Sequence, residues 1–347
     1  MKQNSMKFGT VGAFSIGLVL LLVMAASTFT TSCSNPPAAP VTVTQIVLAV
    51  PTKTATPLPG TGSSWTAQTL PRSQHWISVT YGNGVFVAVG YGSNVAATSP
   101  DGINWTERSL PSSQPWYSVT YGNGVFVAIA NSTAVAATSL DGITWTAQTL
   151  PSLSNWISVT YGNGVFVAVA YADTAAATSP DGITWTARTL PSAQSWYSVT
   201  YGNGVFVAVV RGPSNVAATS PNGITWTART LPSSQYWYSV IYGNGVFVAV
   251  SEGGSAVAVT SPDGITWTAR TLPSPQYWWS VTYGNGVFVA VAADPSAVAA
   301  TSLDGITWTP RTLPSSQVWA SATYGNGVFV AVAGGANSVS AVAATSP

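Results

Sequence analysis

The feature that most restricts the fold of this 347-residue chain is a repeat of about forty residues. The phrase YGNGVFVA begins at Tyr81, Tyr121, Tyr161, Tyr201, Tyr242, Tyr283 and Tyr324, with spacings of 40, 40, 40, 41, 41 and 41. A second phrase, WTxxxL, opens at Trp65, Trp105, Trp145, Trp185, Trp226, Trp267 and Trp308. Self-similarity at such a period marks a repeat architecture. Each unit reads as four short strands. In the first complete unit, the first strand is expected at Trp76–Tyr81. Asn83-Gly84 then makes a hairpin turn, because both residues accept positive φ. The second strand is Val85–Val89, apolar on both faces. After a loop of changing sequence come the third strand, Val95–Ser99, the turn Pro100-Asp101-Gly102, and the fourth strand, Trp105–Leu110. Pro111 opens the link to the next unit. No helical period appears. Four-stranded units with both faces covered predict an all-β fold, a seven-bladed β-propeller of four-stranded antiparallel blades.

The two ends of the repeat complement one another. The first WT phrase, Ser64–Leu70, has no strands before it, and the chain stops at Ala344-Thr345-Ser346-Pro347, where the next turn would begin. The N-terminal strand is therefore expected to complete the last blade as its fourth strand. Such closure removes the exposed edges that an open array would carry. The expected organisation is a signal segment at 1–33, a tether rich in Pro and Thr at 34–62, and the propeller at 64–347.

Composition narrows the function. Charged residues are only 5% of the chain and the formal net charge is +1, so the basic surface that nucleic acid requires cannot be assembled. There is one His, His75, and one Cys, Cys33, which excludes an intrachain disulfide and a His-based metal or Ser-His-Asp site. No cofactor or metal is expected. The 15 Trp and 14 Tyr exceed what a single core of this size needs. Asp173, Glu252 and Asp294 are acids outside the repeat frame, in three different loops, with no partner evident in the sequence. Arg188, Arg229, Arg270 and Arg311 recur on the fourth strand, about 14 Å outward from the first at about 4.8 Å per strand, and are expected to ring the outside. An enzyme is not expected.

Lys2 and Lys7 precede an apolar run from about Phe8 to Ala26, followed by Thr30-Thr31-Ser32-Cys33. This is the layout of an export signal. It resembles a bacterial lipoprotein signal, which implies lipidation of Cys33, although Thr30 stands where that motif prefers Leu. An uncleaved anchor and ordinary cleavage near Ala26 are the alternatives. All three put the remainder outside the cytoplasm, at a bacterial cell surface or envelope. Residues 34–62 read as an extended tether.

The phrase SPDGITWT resembles the Asp-box, or BNR, repeat of the sialidase-like propellers, at Asp101, Asp141, Asp181, Asp263 and Asp304 with their following Trp. The box here is one residue shorter between Asp and Trp. The resemblance covers residues 64–347 and implies a structural turn with a Trp of the fourth strand packed over it. Asn222 occupies the same place and can form the turn but not act as acid or base. Sialidases of this fold use three converging arginines, a Tyr activated by Glu, and an Asp acid, and that set is not apparent here.

Comparison of the units with one another shows where the sequence varies. The hairpin turn and the Asp turn barely change, whereas the link before each first strand and the loop after each second strand do. Strand alternation puts the two variable connections on one rim. That rim is expected to carry Trp76, Trp116, Trp156, Trp196, Trp237, Trp278 and Trp319, either as core wedges or as ligand-binding faces. The residue before each Trp varies, as in His75, Asn155, Tyr236 and Tyr277, and so does the one after it. Loops on a rigid scaffold are where binding residues concentrate, and aromatic faces bordered by polar groups suit sugars or peptides. The expectation is a monomeric, membrane-anchored binding module for a glycan or an extracellular protein. The alternative is a scaffold or assembly factor for envelope proteins, like the photosystem-assembly propellers of this family, with a sialidase-like glycoside hydrolase ranked below both.

Overall fold

The computed structural model describes residues 61–347; the expected export signal, Cys33 and the tether up to residue 60 lie outside the described residues. The described chain consists of strands, turns and bends, and its fold is an all-β propeller. The hairpins form as the Asn-Gly pairs dictate. Asn83 and Gly84 both take positive φ, 47° and 78°, and set the register Gly82↔Val85 and Tyr81↔Phe86 between Trp76–Gly82 and Val85–Ser99. In the next unit Val125–Ala130 pairs antiparallel with Thr133–Ser139, which pairs in turn with Thr146–Ser154. The fourth strands run further than the sequence suggests. Thr106–Gly122 and Thr227–Gly243 continue through the link into the following unit, so their halves pair with different neighbours. Hydrogen-bonded ladders therefore group into sheets of four, four, seven, four and six strands.

Among the described residues the core is divided rather than single. Val87 and Val89 pack with Trp116, Phe126, Ala128 and Ala137 of the following unit, while Phe86 and Ala88 pack with Val330, Val332 and Ala343 of the last one. Each second strand thus alternates between two inter-sheet interfaces, which is why both of its faces are apolar. The third strands contribute Ala side chains that let the sheets approach closely. A chain built of repeated sheet-on-sheet interfaces needs a large wedge in each, and this accounts for the excess of Trp.

Two circuits close the ring. The backbone N–H of Val119 donates to Ser78 Oγ of the preceding unit at 3.2 Å, and the same bond recurs at Val159–Ser118, Val199–Ser158, Val240–Ser198, Val281–Ser239 and Ala322–Ser280. Val79 N–H to Ser321 Oγ, 3.2 Å, joins the first unit to the last. First strands therefore neighbour one another around the axis. The second circuit stacks tyrosine on glycine. A Cβ on Gly82 would lie 2.0 Å from Tyr121 Cγ, and one on Gly325 would lie 2.0 Å from Tyr81 Cγ, so only a glycine lets successive units close up.

The expected completion by the N-terminal strand is present. Thr66–Gln74 pairs with Ser340–Ser346 through Thr66↔Thr345, Ala67↔Ala344, Gln68↔Ala343 and Thr69↔Val342. Gln68 Nε2 donates to Thr345 Oγ1 at 2.9 Å, as Gln148 Nε2 does to Thr138 Oγ1 within an unbroken unit. One boundary is corrected. Residues 61 and 62, expected in the tether, already belong to the propeller. Buried Gly62 (φ 63°) sits against Val289 as Gly102 sits against Val330, and Trp65 Nε1 donates to its carbonyl at 3.1 Å.

Candidate ligand-binding rim

The constant turns lie together on one rim. Asn83 Nδ2 of a hairpin turn donates to the Leu140 carbonyl beside the Asp turn of the next unit, and Asn203 does the same to Pro262 and Asn326 to Pro100. Each Asp turn is internally satisfied. Asp101 Oδ1 accepts from Ile103 N–H, Asn104 N–H and Ser99 Oγ at 2.8–2.9 Å, and Trp105 Nε1 donates to the Gly102 carbonyl at 2.9 Å. Partial burial opposes the charge on Asp101, but the hydrogen bonds from Asn104, Ile103 and Ser99 outweigh it and lower its pKa to about 2. Asn222 preserves the turn through Ile224 N–H, 2.9 Å, and Thr225 N–H, 3.2 Å. Arg188, Arg229, Arg270 and Arg311 sit on outermost strands, each bonded through Nε to a Thr of its own unit at 2.9–3.0 Å. They do not converge.

The variable rim differs from expectation at the tryptophans. Trp76, Trp116, Trp156, Trp196, Trp237, Trp278 and Trp319 are all 0% exposed, so the reading of these side chains as ligand-binding faces is corrected. A ring without accessible surface cannot touch a ligand. In a sheet stacked on both faces neither side of a strand is free, so strand alternation turns the Trp into the inter-sheet core. Five of the seven indoles hold the incoming link instead, as where Trp116 Nε1 donates to the Ser112 carbonyl and Trp196 Nε1 to that of Ser192, at 3.0–3.1 Å.

The ladder shifts register between each Trp and the Ser two residues on, as at Trp196/Ser198 and Trp237/Ser239. The residue after the Trp is therefore a bulge re-aimed toward the axis, and there the units stop being alike. Tyr117, Ile157, Tyr197, Tyr238 and Trp279 form one cluster with Tyr171 from a loop. The hydroxyls of Tyr117 and Tyr197 are hydrogen-bonded although their units are not adjacent, and Tyr197 donates on to Tyr238 at 2.9 Å. Trp279 stacks on Tyr238, with centroids 5.0 Å apart and planes within 8°. Tyr91 and Tyr171 meet Tyr117 and Tyr197 edge-on at 6.1 and 6.2 Å.

An ion pair that sequence reading missed completes the cluster. Arg211 Nε donates to Glu252 Oε1, and Trp279 Nε1 donates to Glu252 Oε2 at 3.1 Å. The guanidinium carbon lies 5.0 Å from the Tyr197 centroid and 5.3 Å from that of Tyr238, within cation–π range. The Glu252 side chain is 9% exposed and that of Arg211 is 35% exposed. Burial disfavours the charge on Arg211, but the bond to Glu252 and the neighbouring tyrosine oxygens more than compensate and raise its pKa. Burial raises the phenols of Tyr117, Tyr197 and Tyr238, so all three stay neutral and able to donate. Glu252, for which no partner is evident in the sequence, thus has two in the fold. The signal was present in the repeat, because Arg211 and Glu252 each fall five residues after the phenylalanine of YGNGVFVA, in consecutive units. Tyr91 and Tyr171 occupy the same repeat position.

Of the polar candidates, Tyr236 and Tyr277 are 43% exposed and flank the turn that follows Glu252, beside Gly253 and Gly254 respectively. His75 and Asn155 stand apart from them. His75 Nδ1–H donates to the Gly335 carbonyl at 3.0 Å, and Asn155 Oδ1 accepts from Ser132 Oγ at 2.8 Å. The four are thus on one rim but only the two tyrosines share a loop.

Residues 179–318 match the family described as the DUF6242 beta propeller domain. No curated protein matches the chain. Among solved structures, it is similar to a catalytically inactive virginiamycin B lyase from Staphylococcus aureus with quinupristin. That match is 13% identical with TM-score 0.71, and covers 82% of this chain and 100% of the other. It is also similar to YCF48 bound to D1 peptide, at 15% identity and TM-score 0.64, covering 84% and 99% of the two chains. YCF48 from Cyanidioschyzon merolae matches at 17% identity and TM-score 0.61, covering 82% and 98%. Propellers that include an enzyme share this architecture at identities this low, so the likeness is one of fold: the chain is a β-propeller.

Proposed function

We propose that this chain is an extracytoplasmic binding module, anchored to the membrane through Cys33, whose seven-bladed Asp-box propeller takes its ligand on the variable rim. The blade number rests on the sevenfold phrases and on the circuits of Ser and Tyr contacts that return to their starting unit. The Asp-box reading rests on the internally bonded Asp turns with Trp packed over them. The observation that carries the binding reading is the axial cluster. It gathers aromatic and charged departures from the repeat in several units into one patch of Tyr, Trp, Arg and Glu, while the turns of the opposite rim vary far less. Among the described residues Arg211 bonds through Nε alone, which leaves its terminal amino groups for a ligand's acceptors. Tyr236 and Tyr277 add exposed aromatic faces beside it. Such a surface fits a glycan, by stacking and hydroxyl bonding, or a segment of an extracellular protein. The peptide held by YCF48 favours the second reading, a scaffold or assembly factor for envelope proteins.

The test is binding of the intact protein to a glycan array, alongside capture of envelope proteins. Both are repeated with Tyr236→Ala/Tyr277→Ala and with Asp263→Asn on the opposite rim. Loss of the bound species in the tyrosine variant, with Asp263→Asn unaffected, is the expected result. Saturable glycan binding selects the first ligand class, and capture of one envelope protein selects the second. Binding that survives in the tyrosine variant overturns the assignment to this rim.

A further inference from the structure

The N-terminal strand Thr66–Gln74 differs from the other fourth strands in one respect, its covalent attachment. Elsewhere an Asp turn ties the third strand to the fourth. At the seam the chain is interrupted, and Thr61 stands in the place of Asp, where its hydroxyl reaches only Ser63 Oγ at 2.8 Å. Ser99 Oγ in an intact turn bonds both Asp101 and Gly102 N–H, whereas Ser346 Oγ, its counterpart at the seam, is buried without a partner among the described residues. Thr66–Gln74 is held by four consecutive ladder pairs, one more pair beyond a bulge, the Gln68–Thr345 bond and one fully buried side chain, Leu70 at 1% exposure. It is tied further by Trp76 Nε1, which donates to the Arg72 carbonyl at 3.2 Å, and by the ion pair of Arg72 with Glu107 at 3.2 Å. That ion pair joins two side chains that are about half exposed, and such pairs add little. The seam is therefore the weakest joint of the ring. When it opens, the edge of Ser340–Ser346 presents unpaired N–H and C=O groups and an empty Leu70 socket, an arrangement that takes up a strand.

We infer that this edge is a strand-acceptor site and that its occupant is Thr66–Gln74 of a second copy of the chain. The donor that fits best is the segment already complementary to it in register, hydrogen bonding and Leu placement. The hinge is at hand at the end of the segment, where His75 separates Thr66–Gln74 from Trp76–Gly82. Reciprocal exchange recreates every seam contact between two chains, so its extent is set by protein concentration.

The experiment uses the full chain with Cys33→Ser, so that introduced thiols are the only ones. Thr69→Cys/Val342→Cys places a pair across the seam, and Val135→Cys/Thr149→Cys places an equivalent pair within an unbroken unit. Opposed residues of antiparallel strands lie within disulfide reach. Each protein is unfolded in urea, refolded at low and at high concentration under reducing conditions, oxidised, and run on a non-reducing gel. The control pair should lock within one chain at both concentrations. The seam pair should lock within one chain when dilute and link two chains when concentrated. A mixture of chains carrying Thr69→Cys alone with chains carrying Val342→Cys alone should then give a disulfide-linked dimer after concentrated refolding. Exchange is overturned if the mixture gives no dimer, if the seam pair stays intramolecular at high concentration, or if both pairs link chains equally.

Discussion

Removal of Arg211 should cost more stability than removal of Glu252, because the two ends of the pair differ in exposure. The Glu252 side chain is 9% exposed and spends both oxygens, on Arg211 and on Trp279. Arg211→Ala leaves that carboxylate buried with one indole N–H. Orphaning a charge in a fully buried pair costs about 3–5 kcal/mol, while breaking an exposed pair costs about 0–1 kcal/mol. With the Arg211 side chain 35% exposed, the screened value falls between these limits, at about 2 kcal/mol. Loss of the contacts with the Tyr197 and Tyr238 faces adds about 1 kcal/mol. The total for Arg211→Ala is about 3 kcal/mol. Glu252→Ala leaves a guanidinium that still reaches water and both tyrosine faces, so its cost is about 1–2 kcal/mol, mainly the unpaired Trp279 N–H. The double variant should fall short of the sum by about 1–2 kcal/mol, the coupling of residues in direct contact. Urea unfolding of the four proteins at neutral pH and one ionic strength measures each quantity. A cost for Glu252→Ala equal to or above that for Arg211→Ala refutes the burial argument, and additivity within about 0.5 kcal/mol refutes the pairing.

Two further outcomes follow from the repeat. Gly202→Ala should destabilise by about 3 kcal/mol, because its Cβ would lie 2.0 Å from Tyr242 Cγ in a closed ring. Gly204→Ala, two residues on in open space at φ 78°, should cost only about 1 kcal/mol of backbone strain; urea midpoints in the reverse order would contradict the stacking account. Acid should weaken the domain through the Asp turns. Asp101 has its folded pKa lowered from 3.8 to about 2, so its contribution is present above the unfolded value and is lost as pH falls between about 4 and 2. Asp141, Asp181, Asp263 and Asp304 shift in the same direction. Thermal melts from pH 5 to pH 2 should show a shallower acid limb for Asp101→Asn than for the parent, and identical limbs would remove Asp101 from that role.

Much of this fold is legible in the sequence because its determinants are local and repeated. Asn83-Gly84 specifies a hairpin turn and Pro100-Asp101-Gly102 a second turn wherever they recur, and a period of two fixes which residues of Val85–Val89 face the same way. The lone WT phrase at Ser64–Leu70 predicts a fourth strand that serves another unit, and Thr66–Gln74 pairs with Ser340–Ser346. Tertiary structure decided what period and turn chemistry cannot. Alternation says that Trp196 and Tyr197 point to opposite sides, but not that a bulge between Trp196 and Ser198 turns Tyr197 out of the sheet stack toward the ring's axis. The curvature of the closed ring then brings Tyr117 to Tyr197, eighty positions along the chain, and Arg211 to Glu252, forty-one along. Those contacts are long-range products of closure, and so the constant rim could be read from the sequence, whereas on the variable rim the repeat aligns Arg211 with Glu252 but does not bring Tyr117 to Tyr197 or Trp279 to Glu252.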